Sequence, residues 1–84
     1  MPPVTIYTKS WCPYCSAAKE LLKAKNVDFT EIAVNSAADQ ATMAKKAGGR
    51  STVPQIWIGE RHIGGCDDLH ALDSKGELDR LLAA

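Results

Sequence analysis

Gln55-Ile56-Trp57-Ile58 and Arg61-His62-Ile63 are separated by only two residues, Gly59-Glu60. A two-residue link between apolar, strand-prone runs is the length of a hairpin turn. The second half of the chain therefore carries an antiparallel pair. The first half demands the opposite. Val4-Thr5-Ile6-Tyr7-Thr8 alternates and reads as a strand. Cys12 to Lys25 reads as a helix, with Pro13 at its first position and Ala17, Ala18, Leu21 and Leu22 as its apolar face. Val27 to Val34 reads as the next strand. A strand–helix–strand unit joins parallel strands by a right-handed crossover. The expected fold is α/β, a mixed four-stranded sheet in the order β-α-β-α-β-β-α with helices on both faces.

The remaining segments fit that frame. Ser36 and Asp39 form a capping-box pattern at the start of a second helix, which places Met43 and Ala47 on one face and stops at Gly48-Gly49. Met43 reads as core filler. Cys66 to about Ser74 reads as a helix with Leu69 and Leu72 on one side; Gly76 interrupts, and Leu78, Leu81 and Leu82 mark a last short helix. Eighty-four residues without a linker, a repeat or a low-complexity tract make one domain.

Ten lysines and arginines balance ten acids. That neutrality argues against a nucleic-acid footprint, which is normally basic. No run of about 18 apolar residues predicts a membrane helix. The N-terminal MPPVTIYTK lacks an apolar signal core, so a cytoplasmic protein is expected. The cysteines number three, Cys12, Cys15 and Cys66, an odd count that fits poorly with a stapled secreted domain. A Cys12–Cys15 bridge would close the shortest of loops and constrain the unfolded chain least. Structural zinc needs four ligands. No second CxxC or CxxH completes a set with Cys66, His62 and His70, and the histidines read as surface or boundary residues.

A reagent is left. Cys12 falls where the first strand ends and a helix begins, where free N–H groups and the helix dipole favour a thiolate. Helix N-termini can bring a cysteine pKa to about 3.5–7.5. Lys9 adds a positive field. Cys12 is thus the expected nucleophile, and Cys15, enclosed within the first turn, the expected resolving thiol. Tyr14 is expected along the rim where a substrate lands. Trp11 either shields the strand end or simply packs.

Two distant segments add to this centre. In Thr52-Val53-Pro54-Gln55, Pro54 suits a strand start; a cis Val53–Pro54 bond is the rarer alternative. In Gly64-Gly65-Cys66-Asp67-Asp68, the acids suit a helix start, while the glycines permit close backbone approach. Free amides there would hold a carboxylate and the acids an ammonium group. Cys66 is either a second favoured thiolate or a partly buried small apolar group.

Lys9, Cys12-Pro13-Tyr14-Cys15, Thr52-Val53-Pro54 and Gly64-Gly65-Cys66-Asp67-Asp68 stand in the order and spacing of the glutaredoxins. The chain resembles the small bacterial dithiol class of that family over nearly its whole length. The resemblance implies a thioredoxin-like fold with sheet order 2-1-3-4, a cis Pro54, and glutathione as co-substrate with no bound metal. It implies that the Val53 backbone pairs with the cysteinyl part of glutathione, that Lys9 and Gln55 approach its glycyl carboxylate, and that Tyr14 lines the groove. Cys66 and Asp67 would anchor the γ-glutamyl end, with Asp68 assisting or capping the helix. Thr52 belongs to the same wall. A monomer that reduces oxidised or glutathionylated proteins is expected, with ribonucleotide reductase an admissible substrate. Two other readings share the fold. One is a redoxin charged by thioredoxin reductase, against which GGCDD speaks. The other is an iron–sulfur carrier, against which Pro13 stands as a departure from Gly or Ser.

Overall fold

The computed structural model describes residues 2–84. Strand β1 (Val4–Thr8) leads into α1 (Pro13–Ala24), β2 (Thr30–Ala33), α2 (Ala37–Lys46), β3 (Gln55–Ile58), β4 (Arg61–Gly64), α3 (Cys66–Ser74) and α4 (Glu77–Ala83). The sheet order is β2-β1-β3-β4. β1 pairs parallel with β2 and antiparallel with β3, and Tyr7 faces Ile32 on one side and Gln55 on the other. The sheet is therefore mixed, as the hairpin and the crossover together require.

Alternation along the central strands sorts side chains to two faces. Val4 and Ile6 of β1 and Ile56 and Ile58 of β3 meet Ala18 and Leu22 of α1, Leu69 of α3, and Leu78 and Leu82 of α4 in the larger core. Tyr7 packs with Val34 and Met43 on the α2 face, beside Val53 and Trp57. The buried stripe of α1 is Cys15, Ala18 and Leu22, three and four residues apart. Ala17, expected on that stripe, is exposed, because its position points away from the sheet.

The second strand is shorter than its sequence suggests. Val27 to Phe29 lie outside it. The cause is the end of α1. Asn26 adopts the left-handed conformation at φ 57°. Its N–H bonds Lys23 O at 2.9 Å, and the Val27 N–H reaches back to Leu22 O at 3.1 Å. That pair of bonds is a Schellman cap, which normally carries an apolar contact between the residue after the turn and the last helical turn. Val27 and Leu22 are both buried in the larger core. Val27 thus closes the helix instead of opening the strand.

Ser36 caps the second helix as its pattern predicts, but the return bond of Asp39 goes to Asn35, one residue before the cap. The Asp39 N–H donates to Ser36 Oγ at 3.1 Å, while the Asp39 carboxylate accepts from the Asn35 N–H at 3.0 Å. Behind the sheet, Lys25 at the end of α1 bonds Asp73 of α3 at 2.7 Å and Asp79 of α4 at 3.0 Å. Among the described residues no helix is long and apolar enough to cross a membrane.

Candidate active site

The end of β1 and the start of α1 place Cys12 at the helix N-cap, with extended backbone angles. Pro13 occupies the first helical position and needs no amide partner there. Cys12 Sγ accepts the Cys15 N–H at 3.1 Å and lies 3.9 Å from Val53 O. That N–H is one of the free amides of the helix start, and it points at the sulfur. Cys15 is 2 % exposed. Burial, the hydrogen bond with Cys12 and the nearby Cys12 charge push its thiol up to about 11. The two thiols of one turn are thus unequal: one faces solvent and the other is enclosed and protonated.

A groove of about 270 Å³ runs beside this pair, lined by Tyr14, Arg50, Thr52, Val53, Pro54 and the Gly65–Asp68 turn. The Val53–Pro54 peptide is cis. Tyr14 is 65 % exposed along the rim. Gly64, at φ 115°, holds a backbone that other residues rarely adopt, and a side chain there would run into Asp68 and Arg50. The Gly65 N–H donates to the Asp68 carboxylate at 2.9 Å, and Arg50 Nη1 lies 3.1 Å from the same oxygen. Both interactions hold the Asp68 carboxyl below the usual range, the Gly65 amide more strongly. Asp68 therefore caps α3 and fixes Arg50, while Asp67 is exposed at the groove. Burial first, then the Asp67 and Cys12 charges, push the Cys66 thiol up, so Cys66 behaves as a small neutral wall.

Two residues paired with this groove in the sequence lie elsewhere. Gln55 is fully buried. Its amide nitrogen donates to Thr52 Oγ1 at 3.2 Å and its oxygen lies 2.7 Å from His62 Nε2. It supports the groove from beneath by tying Thr52 to the hairpin. His62 in turn stacks on Trp57 at 4.7 Å between ring centroids. Lys9 lines a second cavity of about 540 Å³, together with Thr8, Trp11, Cys12, Cys15, Lys19 and Glu31. Its Nζ lies 3.4 Å from Gln40 Oε1, and Gln40 Nε2 donates to Ser51 O at 3.0 Å, so Gln40 bridges Lys9 to the loop before Val53. Trp11 neither packs nor shields: it is 100 % exposed. Its φ of 59° turns the chain sharply just before Cys12.

Arg50, Lys19 and Glu31 were not singled out by their sequence context. Arg50 directly follows the glycines that end α2, a single cation four residues before Pro54. That was the one available signal. Among the described residues, no group of three or more His, Cys, Asp or Glu is arranged to hold a metal ion.

Comparison with known proteins agrees with this geometry. The glutaredoxin family model matches residues 4–63. A glutaredoxin of Pseudomonas aeruginosa is 62 % identical over the full length of both chains. Glutaredoxin 3 of Escherichia coli is 54 % identical, over 98 % of this chain and 99 % of its own. The crystal structure of a buckwheat glutaredoxin–glutathione complex superposes with a TM-score of 0.87 at 31 % identity, covering 98 % of this chain and 77 % of that one.

Proposed function

This chain belongs to the glutaredoxin family, and from that premise we propose that it uses glutathione to reduce protein disulfides and glutathione mixed disulfides. It is a thiol–disulfide oxidoreductase with a thioredoxin-like fold. The observation that carries the finer reading is the inequality of the two thiols. Cys12 is part-exposed and receives the Cys15 amide, whereas Cys15 is buried and its thiol stands at about 11. Cys12 is the nucleophile and Cys15 the resolving thiol.

The Cys12 thiolate attacks a protein disulfide or the sulfur of a glutathionylated cysteine. In the dithiol route Cys15 displaces the substrate and closes the Cys12–Cys15 disulfide. One glutathione reopens it by forming an adduct on Cys12, and a second restores the thiolate. In the monothiol route the glutathionyl group passes straight to Cys12 and Cys15 is idle. Glutathione would lie in the 270 Å³ groove with its cysteinyl backbone along Val53 beside Tyr14. Its γ-glutamyl ammonium would meet Asp67 and a carboxylate would meet Arg50; Thr52, Pro54, Gly65 and Cys66 wall the groove and Asp68 holds Arg50. The buckwheat relative's complex with glutathione supports the ligand. Glutaredoxin couples lie near −200 to −230 mV, within reach of the glutathione pool, where thioredoxin lies near −270 mV. A reducing, cytoplasmic setting suits such a cycle.

Substitution separates the two thiols. Cys12→Ser is expected to lose both routes to background. Cys15→Ser is expected to keep deglutathionylation and lose reduction of protein disulfides, read in an assay coupled to glutathione reductase. Loss of both activities in Cys15→Ser would overturn the division of labour. Equal turnover with thioredoxin reductase and no glutathione would overturn the electron source.

A further inference from the structure

The larger cavity beside Cys12 shares no lining residue with the groove, and it holds an ionic arrangement of its own. We propose that Lys19, held by Glu31 and Thr8, is a positioning residue for the resolving step, its ammonium drawing the Cys15 thiol toward ionisation once Cys12 is occupied by a mixed disulfide. The proposal rests on the dithiol cycle above.

Lys19 follows Cys15 by four residues, so the two lie one turn apart on the same side of α1. Both line the 540 Å³ cavity. Lys19 Nζ is 3.1 Å from Glu31 Oε2, and that oxygen also accepts the Thr8 hydroxyl at 2.6 Å. Thr8 ends the central strand and is buried, and Glu31 lies on its parallel neighbour, so the acceptor is anchored by the sheet itself. The Thr8 hydroxyl first, then Lys19, hold the Glu31 carboxyl below its ordinary range. Glu31 is therefore an anchor for the cation and a poor proton acceptor. The Lys19 side chain is 27 % exposed, so solvent screens it only in part.

The charged and titratable groups around Cys15 are few. Cys12 precedes it in the N-cap, Lys19 shares its helix, Glu31 reaches the cavity from β2, and Lys9 offers both a backbone hydrogen bond and an ammonium from the loop after β1. Cys66 on α3, which packs on α1, is a buried neutral thiol. In the reduced protein, burial and two separate influences of Cys12 keep Cys15 protonated, against Lys9 and Lys19. A mixed disulfide removes both influences of Cys12, its charge and its hydrogen bond. Lys19 and the Lys9 backbone then oppose burial alone. The arrangement keeps Cys15 quiet before capture and releases it afterwards.

The step balances without an added oxidant. The Cys15 proton passes to solvent in the cavity. The thiolate attacks Cys12 Sγ, the Cys12–Cys15 bond forms, and the bond from Cys12 to its partner breaks. The partner leaves as a thiolate and takes a proton from solvent.

The test uses the Cys12–glutathione mixed disulfide of the whole protein and follows glutathione release against pH. Lys19→Met is expected to move the midpoint of closure up by about one pH unit. Near pH 7 closure is then about threefold slower: the thiolate fraction falls about tenfold, but a thiolate of higher pKa is intrinsically more nucleophilic. For the same reason the order inverts above both midpoints, where Lys19→Met closes about threefold faster. Lys19→Arg restores the wild-type profile. Turnover by the monothiol route, measured for each substitution in a Cys15→Ser background, stays unchanged and reports an intact fold. A Lys19→Met profile that superposes on the wild type, or that is slower by one factor at every pH, overturns the proposal. A wild-type mixed disulfide that never closes overturns the dithiol cycle instead, and this proposal falls with it.

Discussion

At the scale of single residues, the redox centre was legible because its parts are local. Cys12 and Cys15 are three apart, and one proline and one helix start suffice to place them. The partners that organise the centre are not local. Arg50 meets Asp68 across 18 residues, and Lys19 meets Glu31 across 12. A lone arginine after two glycines, or a lysine on a helix face, has no sequence pattern that sets it apart. Gln55 shows the converse: the family resemblance implied an approach to the glycyl carboxylate, while strand alternation turns its amide inward to Thr52 and His62. Arg50 now carries a prediction. It is the cation among the side chains lining the groove and is about half exposed. Arg50→Ala is expected to raise KM for a glutathionylated substrate about fivefold, or about 1 kcal/mol, with kcat little changed. Steady-state kinetics with the whole protein read this directly. An unchanged KM would place glutathione elsewhere.

At the scale of elements, hydrophobic runs predicted which elements exist better than where they begin. Val27 and Phe29 look like strand residues, and Val27 is buried. Its burial belongs to the helix before it, through the cap set by Asn26. Only the left-handed angle at Asn26 separates the two readings, and asparagine is among the few non-glycine residues that adopt it readily. Asn26→Val is expected to destabilise the fold by about 1–2 kcal/mol, the cost of a β-branched residue in that conformation. Asn26→Gly is expected to lie within a few tenths of a kcal/mol of the wild type. Denaturant unfolding of the three proteins checks the order; equal midpoints would remove the cap from the account. The same cap delivers Val27 to the core and starts β2 late, at Thr30, in register to present Glu31 beneath Lys19.

At the scale of the whole molecule, topology was legible because a two-residue hairpin and a helical crossover leave little choice of strand direction. The unequal faces of the sheet were not, since pattern alone does not say which helices share a side. The charge distribution gives the folded state a defined pH window. Glu31 and Asp68 have depressed carboxyl pKa values, so they bind fewer protons folded than unfolded. Their contribution is complete above the unfolded values of about 4 and is lost as pH falls through the folded ones. His62 is held neutral by burial and by Arg50, so its contribution is complete above about 6.5 and weakens below that. Lys25 is raised by Asp73 and Asp79, so its contribution is complete below about 10.4 and is lost as pH rises through the folded value. Cys15 and Cys66 are raised by burial, so their contribution is complete below the free thiol value of about 8.5 and is lost as pH rises above it. Thermal unfolding is expected to show a broad maximum of Tm between about pH 7 and 8.5, a fall on the acid side that begins near 6.5 and steepens below 4, and an alkaline fall that Lys25→Met makes shallower above about pH 10.4. An alkaline limb unchanged in Lys25→Met would assign it to other groups.

The two tryptophans give the molecule a pair of optical channels. Trp57 is edge-on to Tyr7 and stacked on His62 within the sheet face. Trp11 stands wholly in solvent one residue before Cys12. A water-soluble quencher reaches the second far more readily than the first. The emission that such a quencher removes is thus a report from the doorstep of Cys12, and what persists is a report from the interior, so one unlabelled sample follows chemistry and unfolding as separate signals.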